Sequence, residues 1–100
     1  MYLVREVFKT RPGKAKELVK IFRICVPFFE KSGEMRNSKI MTDITGPYWT
    51  VVYESEVPDV GNFFKQLRNP STPPPPEVAE AMKGYMDCVE SGHREIYLLE

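Results

Sequence analysis

The sequence predicts one α+β domain, a four-stranded antiparallel sheet in split β-α-β order with its helices gathered on one face. Two stretches, Tyr2–Lys9 and Tyr48–Val57, alternate with a period of two while carrying large apolar groups on both sides. Two further strands are expected at about Met35–Ile44 and at Arg94–Glu100, with helical spacing after the first strand and again after the third. A chain of 100 residues has room for one such domain, residues 1–100, and not for a second.

In the first strand Tyr2, Val4, Glu6 and Phe8 alternate with Leu3, Arg5, Val7 and Lys9. Arg11-Pro12-Gly13 is a turn. From Lys14 the spacing becomes helical: Ala15, Leu18, Phe22, Cys25 and Phe29 follow one face, and Val19 and Val26 widen it. Pro27, lacking an amide hydrogen, is expected to bend the last turn or end regular hydrogen bonding near Arg23, and Ser32-Gly33 to close the helix. The second strand is polar, with Arg36, Asn37, Ser38, Lys39 and Asp43, which suits an edge.

Gly46-Pro47 turns the chain into the third strand, where Trp49, Val51, Tyr53 and Ser55 share one face and Tyr48, Thr50, Val52 and Glu54 the other. Pro58 suits a first helical turn, and Val60, Phe63, Phe64 and Leu67 then fall at i, i+3, i+4 and i+7 of a short helix. The stretch 68–76 ends in four prolines, Pro73 to Pro76, and reads as a stiff extended connector or a lid over a cleft. Glu77–Val89 resumes a helix on Val78, Met82, Tyr85 and Val89, and Ser91-Gly92 is expected to stop it. In the last strand Ile96 and Leu98 lie opposite Tyr97 and Leu99.

Right-handed crossovers place strands one and three in the centre of the sheet. Helices on one face leave the other bare, carrying either the set Tyr2, Val4, Phe8, Tyr48 and Val52 or its complement. An exposed apolar sheet is a liability in a monomer, so a homodimer joined sheet face to sheet face is expected. Fourteen basic residues balance fourteen acidic ones, which argues against nucleic acid as a partner. No apolar run approaches the roughly 18 residues of a membrane span, and Arg5, Glu6 and Lys9 interrupt the start. No membrane partner and a cytoplasmic location are therefore expected. Cys25 and Cys88 read as buried free thiols.

The catalytic candidates are His93, Arg5 and Glu6. His93 is the one histidine and a natural acid or base near neutral pH, although a Gly-His-Arg turn also suits a solvated side chain. Arg5 and Glu6 sit in a central strand, where a charge must be paired or line a cavity. Trp49 and Tyr53, with Phe22 from the first helix, are the ligand-binding candidates, suited either to stacking a flat molecule between sheet and helices or to packing the core. Lys16, Lys20 and Arg23 form a basic stripe on the first helix, facing an acidic last helix with Glu77, Glu80, Asp87 and Glu90. Mutual attraction or solvation is the expected reading, and an anion site the alternative. One histidine and two cysteines do not supply three or four convergent nitrogen and sulfur ligands, and no phosphate-cradling or serine-hydrolase motif is present.

The run of strand, Arg-Pro-Gly-Lys turn, and helix ending Pro-Phe-Phe-Glu-Lys-Ser-Gly is followed by Ile-Thr-Gly-Pro-Tyr-Trp-Thr-Val-Val-Tyr-Glu-Ser-Glu and later by Gly-His-Arg-Glu-Ile-Tyr. This resembles the dimeric α+β barrel superfamily of ferredoxin-like fold, and within it the NIPSNAP-like proteins. Relatives in that superfamily include antibiotic-biosynthesis monooxygenases, heme-degrading monooxygenases, lactone isomerases and proteins with no assigned activity. The resemblance implies a homodimer binding a small aromatic or apolar molecule, with monooxygenase-like or isomerase-like turnover that needs no cofactor. The heme-degrading pattern has an asparagine on the first strand and an iron-binding histidine on the second helix. Here no asparagine lies between Met1 and Thr10, and His93 follows the second helix, so heme is not expected. The alternative is a non-catalytic dimeric interaction module that uses Pro73 to Pro76 for docking. Neither reading fixes a reaction.

Overall fold

The antiparallel pairing of two central strands organises the molecule, which a computed structural model describes over residues 1–100. The elements are β1 (Tyr2–Thr10), α1 (Ala15–Glu30), β2 (Arg36–Thr42), β3 (Thr50–Val57), α2 (Val60–Arg68), α3 (Pro76–Met82), α4 (Tyr85–Cys88) and β4 (Val89–Leu98). The sheet order is β2-β3-β1-β4, so strands one and three are central and the polar second strand is an edge, as the sequence predicts. β1 runs against β3 from Tyr2 opposite Val57 to Lys9 opposite Thr50, and against β4 from Tyr2 opposite Leu98.

That register sorts side chains onto two faces. Val4, Phe8, Val51, Tyr53 and Val57 look toward the helices, whereas Leu3, Arg5, Val7 and Val52 occupy the open face. The expected set Tyr2, Val4, Phe8, Tyr48 and Val52 is therefore not one face: Val52 pairs with Val7 and lies opposite to Val4 and Phe8. Leu18, Ile21, Phe22 and Cys25 of α1 pack on Val51, Tyr53, Val78 and Cys88. A smaller cluster joins Phe63 of α2 to Val4 and Val57. Phe22 lies 5.3 Å from Phe8 and meets Tyr53 edge-on at 5.4 Å, centroid to centroid, a geometry favoured by the ring quadrupoles.

Several boundaries differ from the sequence reading, each for a local reason. Pro27 does not end α1: both it and Arg23 are on the exposed side, so the missing amide bond turns toward solvent and the helix continues to Glu30. Gly33, at φ 78°, then reverses the chain, its amide donating to the Glu30 carbonyl at 3.1 Å. Pro58 precedes α2 instead of opening it, because Asp59 is the N-cap and its side chain accepts the Asn62 amide at 3.0 Å. The proline connector is exposed, and Pro76 supplies the first residue of α3. The last helical stretch is split into α3 and the four-residue α4.

Ser91-Gly92, expected to stop a helix, lies instead inside β4. β4 begins at Val89, and Gly92 pairs with Phe8. A Cβ at Gly92 would stand 3.0 Å from the Val7 carbonyl oxygen and 3.2 Å from Phe8 Cδ1. Glycine here permits close approach of two strands. Gly92→Ala is accordingly expected to destabilise by about 1–3 kcal/mol through overpacking. Gly61→Ala, in α2 where the new Cβ meets only the Asp59 side chain at an ordinary 3.4 Å, should stabilise by about 0.5–1 kcal/mol. Urea unfolding of the two variants checks the opposite signs.

Candidate functional site

The two faces of the sheet separate the catalytic candidates. On the open face Arg5 Nε donates to Glu54 Oε2 at 3.1 Å and Arg5 Nη1 to Glu95 Oε1 at 2.9 Å. His93 Nε2 is 3.0 Å from Glu95 Oε2, and the Tyr97 hydroxyl donates to Glu95 Oε1 at 3.1 Å. Arg5 and His93 thus meet through one carboxylate. Glu6 does not join them: as the next residue along β1 it projects to the helix face. There Arg94 holds it in a fork, Nε to Oε1 at 2.6 Å and Nη2 to Oε2 at 2.8 Å. The Arg94 guanidinium also lies 5.6 Å and 5.4 Å from the ring centroids of Phe63 and Phe64. His93 itself is in the middle of β4, paired with Val7, and not in a turn.

The ligand-binding candidates separate as well. Phe22 and Tyr53 are buried against each other in the core. The Tyr53 hydroxyl donates to Ser38 Oγ at 3.2 Å, which satisfies it inside the protein, and burial pushes its pKa up. The space where a flat ligand would stack between sheet and α1 is occupied by these rings together with Phe8 and Tyr85. Cys25 and Cys88 are fully buried free thiols, each with its pKa raised by burial.

Trp49 leaves the strand altogether. Its φ of 62° places it in the left-handed region, a conformation costing on the order of 1–3 kcal/mol for a bulky residue. The turn holds it there: the Thr10 amide donates to the Trp49 carbonyl at 2.8 Å, and the next amide, Thr50, donates to Asp43 Oδ1 at 2.9 Å. Trp49 is 40% exposed and Tyr48 82%. Both line an open groove of about 850 Å³ between the β2–β3 turn and α1. Its opposite wall is the basic stripe Lys16, Lys20 and Arg23, with Asp43 the one acidic residue in the lining. None of these three cations has a carboxylate within 4 Å; of the two expected outcomes the attraction to the last helix is not made, and the stripe is solvent-exposed and faces the turn. The stripe was legible from its spacing, whereas the positive φ that swings Trp49 toward it has no residue signature.

A second hollow, about 310 Å³, borders Glu6, Tyr85, His93 and Arg94. Burial foremost, and then Glu6, raises the Tyr85 pKa, and the Glu6 hydrogen bond raises that of Arg94. Both charges here are already paired. No three His, Cys, Asp or Glu side chains converge as metal ligands, and no helix is long and apolar enough to cross a membrane.

A four-stranded antiparallel sheet with helices on one side, one bare face and a charged aromatic groove at its margin defines a small α+β domain of ferredoxin-like class. Solved structures place that fold more closely. The chain superposes on an uncharacterized NIPSNAP domain protein from Burkholderia xenovorans with a TM-score of 0.77 at 15% identity, covering 100% of this chain and 95% of that one. A NIPSNAP family protein from Agrobacterium tumefaciens gives 0.73 at 16% identity, over 100% and 94% of the two chains. An antibiotic biosynthesis monooxygenase gives 0.72 at 13% identity, over 100% and 99%. The likeness is one of fold, the NIPSNAP-like fold that the sequence motifs resemble. No family model and no curated protein matches the sequence.

The Glu95 carboxyl is held below its usual 4.5, first by His93 and then by Tyr97 and Arg5. The unfolded chain therefore takes up this proton at higher pH than the folded one. The contribution of Glu95 to stability is present above pH 4.5 and is lost as pH falls through the lower folded-state value. Glu95→Gln removes the effect, so its stability should fall less steeply below pH 4.5 than that of the wild type. Denaturant titrations at graded pH and one protein concentration check this, and parallel curves would contradict it.

Proposed function

We propose that the protein is a homodimer that binds a small molecule, the ligand lying in the groove between α1 and the β2–β3 turn. The observation that carries this reading is the strained, partly exposed Trp49 facing three cations without partners across an open groove. Backbone strain on a bulky residue persists where surrounding structure enforces it, and such residues cluster at binding sites. A concave site with an aromatic wall and a few polar groups is the usual form of a small-molecule site. The groove replaces the interior position expected for Trp49, Tyr53 and Phe22, since the core rings fill that space.

The dimer reading is supported by the open face. It carries Leu3, Val7, Val52 and Tyr97 among Arg5, Glu54 and Glu95 on the side of the sheet without helices. Arg5 and His93 belong to the surface given to the second copy, and no reaction is assigned to them.

Trp49 is the only tryptophan, so its indole N–H signal in a two-dimensional NMR spectrum reports on the groove without overlap. In a screen of small organic molecules we expect saturable shifts of that signal for a subset of compounds, with the signals of buried Phe22 and Tyr53 unmoved. A screen in which no compound shifts Trp49 saturably contradicts the reading.

A further inference from the structure

We infer that the ligand of this groove is a planar aromatic acid, a flat ring carrying a carboxylate or phosphate. The inference deepens the binding reading above and rests on it. It starts from charge. Lys16, Lys20 and Arg23 are three and four residues apart on one side of α1, which spaces successive positions by about 4.5–6 Å along the axis. All three are exposed, and none is neutralised by an ion pair. The single carboxylate of the lining, Asp43, already accepts the Thr50 amide through Oδ1. Three cations against one occupied carboxylate leave the groove with a net positive field, although the chain as a whole has no net charge. A groove lined by one sign of charge concentrates ligands of the other.

Tyr48 and Trp49 are adjacent in sequence, and both line the groove because the Trp49 backbone breaks the alternation that would send them to opposite faces. Two neighbouring aromatic rings offer a flat molecule a stacking surface, and Ala15 and Val19 supply a small apolar patch at the foot of the helix wall. An aliphatic anion would leave the ring wall unused, and a neutral aromatic would leave three charges unmatched. An aromatic acid meets both walls, with its ring against Tyr48 and Trp49 and its anionic group toward Lys16, Lys20 and Arg23. Its binding should weaken as salt rises, because these charges are exposed and the screening length is only about 10 Å at 0.1 M salt.

Four probes test the inference on the full chain: 2-naphthoate, 1-naphthyl phosphate, the neutral 2-naphthamide, and the non-aromatic cyclohexanecarboxylate. Each is titrated while the Trp49 indole signal is followed. The two aromatic anions should saturate the shift with affinities at least about tenfold above the other two probes, and the tighter of them identifies the anionic group. The double variant Lys16→Gln, Lys20→Gln should lose about tenfold in affinity for the aromatic anions, leave the weak binding of the amide unchanged, and keep the wild-type Tm, since both side chains are exposed. Tyr48→Ala should weaken the aromatic anions and leave cyclohexanecarboxylate unaffected. Equal binding of 2-naphthamide would overturn the anionic assignment, and equal binding of cyclohexanecarboxylate the aromatic one, the groove standing as the site in both cases. If no probe and no screened compound moves Trp49, the groove itself is not a ligand site and both readings fall.

Discussion

The register of β1 against β3 is the constraint on which the rest depends. With Tyr2 opposite Val57 and Lys9 opposite Thr50, every residue of the two central strands is assigned to one of two faces. A slip of β1 by one position would turn Val4 and Phe8 to the open face and bring Leu3, Arg5 and Val7 under α1. The cost would be the whole core at once, because Phe22, Phe8, Tyr53 and Tyr85 interlock only when these strands are in phase. The same register brings Arg5 between Glu54 and Glu95 and so keeps a central-strand charge paired.

A single copy makes a thin structure. The molecule measures 37 × 34 × 19 Å, one layer of helices on one layer of sheet, and only 13 of its 100 residues are buried. The broad dimensions give the open face room for the roughly 800 Å² per partner of a standard protein interface. Its mixture of Arg5, Lys9 and Lys39 with Glu54, Glu56 and Glu95 allows one copy to complement another in charge. Burying that face leaves the groove free, because α1 and the β2–β3 turn form it at the margin of the other side.

What the sequence disclosed follows from which forces are local. Period-two alternation in Tyr2–Lys9 and in Tyr48–Val57 marked the central strands, and the polar content of Met35–Ile44 marked an edge, because these patterns record burial directly. The opposite orientation of Arg5 and Glu6 was also implicit in that alternation, and placing them in one site overlooked it. By contrast, Ser91-Gly92 reads locally as a helix stop, and only the nearness of the Val7 carbonyl shows why glycine is needed within a strand. Trp49 was the harder case. Its alternation with Val51 and Tyr53 is regular in sequence, and it fails because a hydrogen bond from Thr10, remote in the chain, and one to Asp43 across the turn hold it in a left-handed conformation. The cations of α1 were visible as a stripe, but the aromatic wall across the groove from them was visible only once that turn was in place.

The proposed dimer completes one sheet face with a second copy and leaves the groove open. Sedimentation equilibrium on the wild type and on Val7→Glu tests it most directly, since Val7 is at the middle of the open face and outside both the core clusters and the groove. The wild type is expected to sediment at twice the 11.6 kDa mass of the chain, and Val7→Glu as a monomer with its helical circular dichroism retained. A wild type that stays at 11.6 kDa at every concentration would contradict it.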